Sequence, residues 1–129
     1  MNVRYRSYQL IIHTRNDSRI EIGRLGLFLF PEGYYVYTGS AKKNILARIR
    51  YHTSPKQNLH WHIDYMLGCE AVIIEEIHLY TIAECRLNKI TPGEIIIPGF
   101  GATDCKEHCC SHLKYQGKHL VRTYRALFR

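Results

Sequence analysis

The sequence contains no apolar run that approaches the length of a membrane span, which needs about 20 consecutive apolar residues. Its longest apolar stretches, at residues 10–12, 25–30 and 71–74, are short and are interrupted by charges or turns. The apolar stretch behind the basic N-terminus is also too short for a signal-peptide core, and no small-residue cleavage site follows it. We therefore expect a soluble, cytoplasmic protein without a membrane partner.

Acidic residues are scarce relative to basic ones. Asp and Glu number 11 against 18 Lys and Arg, which gives a formal net charge of +7 on 129 residues. Such an excess favours a polyanionic partner, above all nucleic acid. The composition is 46% hydrophobic and 22% charged, which is typical of a folded domain and excludes a disordered or coiled-coil chain. The length, with no internal repeat or linker, predicts a single domain over residues 1–129.

The pattern of apolar residues predicts a small α/β domain with a central, mainly antiparallel sheet flanked by helices. Residues 8–38 are predicted to form an antiparallel meander of strands. A helix is expected within residues 40–54, with Ser40 and Asn44 as candidate N-caps. The other predicted elements are helices at 60–67 and 81–90, strands at 71–80, 95–97 and 120–128, and a loop at 100–111.

The segment with the most candidate functional residues lies where the last strand of the predicted meander runs into a Gly-Ser turn and a helix. That helix carries Arg48 and His52 four residues apart, so both side chains share one face. A tyrosine at the strand end, backbone N–H groups at the helix start and a fixed guanidinium together suit a phosphate. The same residues also fit an ordinary strand–turn–helix with a surface arginine and a capping serine.

Several spaced patterns resemble the signatures of the GIY-YIG nuclease superfamily. The Tyr-x-Gly signature is present at Tyr37 and Gly39, and the helix pattern Arg-x-x-x-His is present at Arg48 and His52. The tyrosine of the first signature, Gly-x-Tyr, corresponds to Tyr8 on the opening strand. These motifs are individually weak, and their order along the chain makes the resemblance specific.

The resemblance extends over nearly the whole chain. The acidic residue that the superfamily carries on a later helix corresponds to Glu84. Stretches at residues 60–65, 99–105 and 111–113 resemble the little-characterised branch that occurs alone or fused to endonuclease III. The superfamily also carries a late asparagine, for which Asn88 and Asp104 are the two candidates in this sequence.

This resemblance implies a GIY-YIG-like domain that acts as a metal-dependent DNA endonuclease, hydrolysing phosphodiester bonds in DNA repair. Glu84 is implied to hold one Mg²⁺ or Mn²⁺, Tyr8 to act as general base and Arg48 to bind the scissile phosphate. The fused relatives imply a functional link to a base-excision repair glycosylase. The implied catalytic residues are Tyr8, Tyr37, Arg48, His52 and Glu84, and the implied DNA contacts are Ser40, Lys42, Lys43 and Arg50.

Some features favour other interpretations. Arg6 stands at the position of the first signature's glycine, which favours a non-catalytic nucleic-acid-binding module with the same fold. Thr81 and Glu84 also have the spacing of a helix capping box, which gives Glu84 a purely structural role. The catalytic hypothesis requires that Tyr8, Tyr37, Arg48 and Glu84 converge on one concave basic face.

A cluster of cysteine and histidine residues offers a second metal hypothesis. The five cysteines are an odd number, and in a cytoplasmic protein we expect them to be reduced. Tetrahedral zinc binds such ligands readily, although the spacing fits no standard pair of zinc knuckles. The alternatives are a zinc-stabilised interaction domain and a loop of partly buried thiols. The candidate zinc ligands are Cys105, Cys109, Cys110 and His112.

Overall fold

The computed structural model describes residues 4–40, 44–54, 59, 61–103, 105 and 107–119. They form a small single domain of the α/β class, as the sequence predicts. No helix in these ranges is long and apolar enough to span a membrane. The strands are β1 (Ser7–Thr14), β2 (Ser18–Ile22), β3 (Gly26–Phe30), β4 (Gly33–Ser40), β5 (Val72–Tyr80) and β6 (Leu113–Tyr115), and the helices are α1 (Ile45–Thr53), α2 (His62–Leu67) and α3 (Glu84–Ile90).

The central sheet has four strands in the order β5-β1-β4-β6, and every neighbouring pair is antiparallel. β1 lies inside this sheet, between β5 and β4, and is buried along almost its whole length. The predicted meander is wrong in one respect, because β2 and β3 form a separate two-stranded sheet. The first and fourth strands therefore pair directly, and Tyr8 lies opposite Gly39.

The two faces of the central sheet are covered by different elements. Tyr8 and Leu10 of β1, with Tyr35 and Tyr37 of β4, belong to the main core, together with apolar residues of the β2–β3 sheet and α2. The alternate positions of the strands face α3. There the Gln9 amide donates hydrogen bonds to the Thr38 hydroxyl at 3.1 Å and the Thr91 hydroxyl at 2.7 Å.

The predicted helix starts differ from the observed ones at two functionally important places. β4 continues through Ser40, so the Gly-Ser pair belongs to a strand rather than a turn, and Ser40 does not cap a helix. Asn44 is the N-cap of α1, as predicted, and its side chain accepts a hydrogen bond from the Ala47 N–H at 3.0 Å. The capping-box interpretation of Thr81 and Glu84 is wrong, because α3 begins at Glu84.

The C-terminal third also departs from the predicted elements. Residues 95–97 do not form a strand; the neighbouring Glu94 makes one isolated bridge to Tyr115. The last described strand is the short β6, which was not predicted and which follows the predicted cysteine-rich loop. The strand predicted at residues 120–128 lies outside the described residues.

Candidate active site and cysteine cluster

Tyr8 lies across the backbone of β4, packed onto Gly39. A Cβ atom at Gly39 would overlap the Tyr8 ring and its hydroxyl, so only glycine leaves room for this side chain. Because Tyr8 and Gly39 are paired across the two strands, the tyrosine of the first signature and the glycine of the second fit together. This contact gives a structural reason for both residue types.

The hydroxyl of Tyr8 is paired with the imidazole of His52. The Tyr8 hydroxyl oxygen lies 2.6 Å from His52 Nε2, and both side chains are buried. His52 stands in the last turn of α1, which places it over the sheet face that carries Tyr8. Burial raises the pKa of Tyr8 far above its usual range, and the nearby Arg48 charge only partly opposes this rise.

Arg48 is fixed by the indole of Trp61. Its guanidinium carbon lies 4.4 Å from the centre of the Trp61 ring, a cation–π geometry that limits the freedom of a long side chain. Trp61 is itself held at the start of α2, where its backbone N–H donates a hydrogen bond to the Asp64 carboxylate at 2.8 Å. The half-buried Arg48 therefore presents its charge beside Tyr8 in one preferred orientation.

Tyr37 completes an aromatic cluster on the same sheet face. Its ring centroid lies 6.4 Å from that of Tyr8, 6.3 Å from that of His52 and 6.2 Å from that of Phe100. Burial first, and then the neighbouring Tyr8 and Glu84, raise the pKa of Tyr37 well above its usual value. The phenol is therefore neutral at physiological pH and available as a hydrogen-bond donor.

Glu84 comes from the opposite layer of the sheet, so the expectation that it shares one face with Tyr8, Tyr37 and Arg48 is not met. It is the first residue of α3, which packs on the other face of the sheet, and its carboxylate Oε2 lies 3.3 Å from His112 Nδ1. Its side chain is 27% exposed. The Glu84 charge contributes to the raised pKa of both Tyr8 and Tyr37, so the carboxylate lies within electrostatic range of both phenols.

A cleft of about 660 Å³ lies where β1 begins, β4 ends and α3 starts. Arg6 contributes from just before β1 and Ser40 from the end of β4. Glu84, Arg86 and Lys89 contribute from α3, and Glu107 from the segment before β6. Its three cations outnumber its two carboxylates, Glu84 and Glu107, so the cleft suits an anion. Of the other predicted DNA contacts, Arg50 is exposed on α1, whereas Lys42 and Lys43 lie outside the described residues.

Of Asn88 and Asp104, the two candidates for the superfamily's late asparagine, only Asn88 lies among the described residues. Asn88 is buried inside α3, and its amide donates a hydrogen bond to the Ser111 carbonyl at 2.8 Å. It therefore ties α3 to the chain before β6. Asp104 lies outside the described residues.

Four residues next to Glu84 form a cluster that could hold a metal ion. The ligand atoms of Cys85, Cys105, Cys109 and His112 all lie within 4.8 Å of one another. Although burial acts against ionisation, hydrogen bonds from the Cys109 backbone and from His112 lower the pKa of Cys105 to about 6. Cys110, which the sequence also suggests as a ligand, is exposed and does not belong to the cluster.

Cys85 and Trp61 are the residues that sequence reasoning missed. Cys85 lies on α3, 20 residues before Cys105, so no spacing rule for zinc ligands connects the two. Trp61 gave no signal, because its contact with Arg48 depends on how α1 and α2 pack.

Comparison with known proteins gives one family match. The model of a family described as "Domain of unknown function DUF123" matches residues 7–129. The match includes every strand and helix described above. No curated protein and no solved structure matches the chain.

Proposed function

The chain belongs to the DUF123 family, and we propose that it is a metal-dependent endonuclease that hydrolyses phosphodiester bonds in DNA. The observation that carries the proposal is the 2.6 Å contact between the Tyr8 hydroxyl and His52 Nε2, beside Arg48 and within electrostatic range of Glu84. A phenol paired with a base, a fixed guanidinium and a carboxylate are the groups that hydrolysis of a phosphate diester needs. They are contributed by β1, α1 and α3.

Tyr8 and His52 together move the proton of the attacking water. A phenol whose pKa is raised by burial is a poor base alone. As the Tyr8 oxygen accepts a proton from water, its own proton passes to His52 Nε2, so no free phenolate has to form. The hydroxide attacks phosphorus, the bond to the leaving oxygen breaks, and that oxygen takes a proton from solvent.

Arg48 and Tyr37 act on the phosphate group. The Arg48 guanidinium, held against Trp61, donates hydrogen bonds to the non-bridging oxygens and stabilises the charge that grows in the transition state. The neutral Tyr37 phenol donates a hydrogen bond and keeps the phosphate in position. Fixing both groups beforehand avoids a cost of reorganisation during the reaction.

Glu84 is the residue that holds the catalytic cation. A partly exposed carboxylate beside an open cleft fits Mg²⁺ or Mn²⁺, which prefer oxygen ligands and keep most of their shell as water and phosphate oxygen. Oε2 faces His112, so the other carboxylate oxygen would hold the cation. When bound, the cation supplies positive charge at the phosphate.

The basic cleft supplies the contacts to the DNA backbone. Arg6, Arg86 and Lys89 line it, and together with the net charge of +7 they favour binding that depends strongly on salt and little on sequence. A role in DNA repair, beside a base-excision glycosylase, is the context that the resemblance to the GIY-YIG superfamily suggests.

A non-catalytic nucleic-acid-binding module is the second candidate. It is favoured by Arg6, whose side chain lines the cleft at the position where the superfamily has glycine. An arginine there adds an attractive contact for a phosphate while occupying space beside Glu84. Cleavage assays separate the two candidates, because both predict binding and only the first predicts hydrolysis.

The test is metal-dependent nicking of supercoiled plasmid and of a branched DNA, with Mg²⁺ or Mn²⁺. Glu84→Gln and Tyr8→Phe should each lower the cleavage rate by about 10²-fold or more while changing DNA affinity only a few-fold. Glu21→Gln is the control, since Glu21 is an exposed carboxylate on β2, and it should cleave like the wild type. Salt-sensitive binding without cleavage by the wild type would establish the binding module instead.

A further inference from the structure

We propose that Cys85, Cys105, Cys109 and His112 bind one structural Zn²⁺. Their four ligand atoms lie within 4.8 Å of one another, and Cys85 Sγ lies 3.6 Å from Cys105 Sγ. Two thiolates on a tetrahedral zinc with bonds of about 2.3 Å lie about 3.8 Å apart. The side chains therefore already have nearly the separation that the ion requires.

The imidazole of His112 is oriented as a metal ligand would be. Its Nδ1 lies 3.2 Å from the Thr38 carbonyl and 3.3 Å from the Glu84 carboxylate. Its Nε2 is buried, and the Cys105 thiol, with which His112 shares a hydrogen bond, lies beside the ring. A histidine that binds zinc through one nitrogen normally donates its other N–H to a carboxylate or carbonyl. We assign Nε2 as the ligand atom on this basis.

The identity of the ion follows from the ligands. Three thiolates and one imidazole are soft and borderline donors that select zinc over Mg²⁺. Four protein ligands also leave no open position for a substrate, which is typical of a structural site. This ion is therefore different from the Mg²⁺ or Mn²⁺ proposed at Glu84, and its presence does not depend on nuclease activity.

The site would stabilise a part of the chain that has little regular structure. Cys105 and Cys109 lie in the irregular segment before β6, in which His108 and Cys110 have positive φ angles of 56° and 60°. Such angles are unfavourable for residues other than glycine. Because Cys85 lies on α3, the ion would tie this segment to the helix that carries Glu84.

The first measurement is the metal content of the full chain, purified without a metal-affinity step. We expect one zinc per chain in the wild type and in the controls Cys69→Ser and Cys110→Ser, whose thiols lie outside the cluster. Cys85→Ser and Cys109→Ser should lose the zinc. An equal zinc content in Cys85→Ser would overturn the assignment.

X-ray absorption at the zinc edge tests the same site in the wild-type protein, so the result does not depend on whether a variant folds. The expected shell is three sulfur atoms and one nitrogen. Substitution with Co²⁺ should give the visible spectrum of a tetrahedral thiolate complex. A wild-type protein with no zinc, or with a disulfide between Cys85 and Cys105 in mass spectrometry, would refute the proposal.

Discussion

Gly39 and Tyr8 illustrate how one residue fixes the position of another. Because a Cβ at Gly39 would overlap the Tyr8 ring, Gly39→Ala should displace the phenol from His52. We expect the free energy of unfolding to fall by about 1–3 kcal/mol, which is usual for overpacking. Urea unfolding followed by circular dichroism measures this change.

The matched control for this substitution is Gly68→Ala. A Cβ at Gly68 would lie 3.4 Å from the Asp64 carbonyl oxygen, and the residue has the right-handed helical conformation that alanine adopts readily. Its stability should therefore stay the same or rise by a few tenths of a kcal/mol, since alanine loses less backbone entropy on folding. Equal stabilities of Gly39→Ala and the wild type would contradict the close packing of Tyr8.

The sequence predicted which residues belong to the candidate site better than it predicted which of them contact one another. Tyr8, Arg48 and Glu84 could be selected from short signatures, because each signature is local in the sequence. The Tyr8–His52 contact joins residues 44 positions apart, and the Arg48–Trp61 contact depends on the approach of two helices. No local pattern contains that information, which also explains why the cluster contains Cys85 and lacks Cys110.

At the scale of the element, Lys114 links β6 to the C-terminal end of α3. Its ammonium group is buried and donates hydrogen bonds to the carbonyls of Asn88 at 2.8 Å and Thr91 at 3.0 Å. Lys114→Met would leave both carbonyls without this donor. We expect a loss of about 1–3 kcal/mol in the free energy of unfolding, measured by chemical denaturation.

Lys118→Met is the comparison for this substitution. The Lys118 side chain is 74% exposed, and its pairing with Glu32 at 3.9 Å is of a kind that contributes about 0–1 kcal/mol. A loss in Lys118→Met as large as in Lys114→Met would show that removal of charge, rather than the buried hydrogen bonds, accounts for the effect.

The strands were predicted better than the ways in which they pair. The alternation in β2 and the strand-favouring residues of β1, such as Tyr8, Ile11 and Ile12, are local signals, so both strands were recognised. The separation of β2 and β3 into a second sheet is not visible in them, because it depends on which edges meet. β6 has only three residues, too few for any periodicity to be detected.

At the scale of the whole molecule, buried tyrosine side chains should make the free energy of unfolding fall as the pH rises into the alkaline range. Burial raises the pKa of Tyr8, Tyr35 and Tyr37 above 10 in the folded state. Above pH 10 the unfolded chain therefore binds fewer protons than the folded one, and stability falls as pH rises. The limiting slope is about 1.4 kcal/mol per pH unit for each phenol.

Tyr35→Phe isolates one of these phenols, because Tyr35 lies outside the proposed catalytic set. Above pH 10 its stability should fall less steeply with pH than that of the wild type. Between pH 6 and pH 8 the two slopes should agree, since the phenol is protonated in both states. Denaturation midpoints across the pH range measure this difference, and parallel curves above pH 10 would refute it.

DNA binding should depend on salt through the cleft cations, a prediction that rests on the proposed function. Replacing both Arg86 and Lys89 with alanine should reduce the slope of log affinity against log salt by about 1.8, since each lost phosphate contact contributes about 0.9. The same change of charge at Arg19 and Lys118, which do not line the cleft, should alter the slope less. Fluorescence anisotropy titrations at several salt concentrations provide the slopes.

Because β1 pairs directly with β4, the geometry of the site does not depend on how many residues lie between the two signature motifs. Tyr8 and Gly39 are neighbours across two strands however long the intervening chain is, and doubling a connecting loop costs only about 0.6 kcal/mol in closure entropy. A motif search that fixes this interval would overlook related chains with longer or shorter excursions. A search for two pairable strands, one with a tyrosine and the other with a glycine in matching register, would retain them.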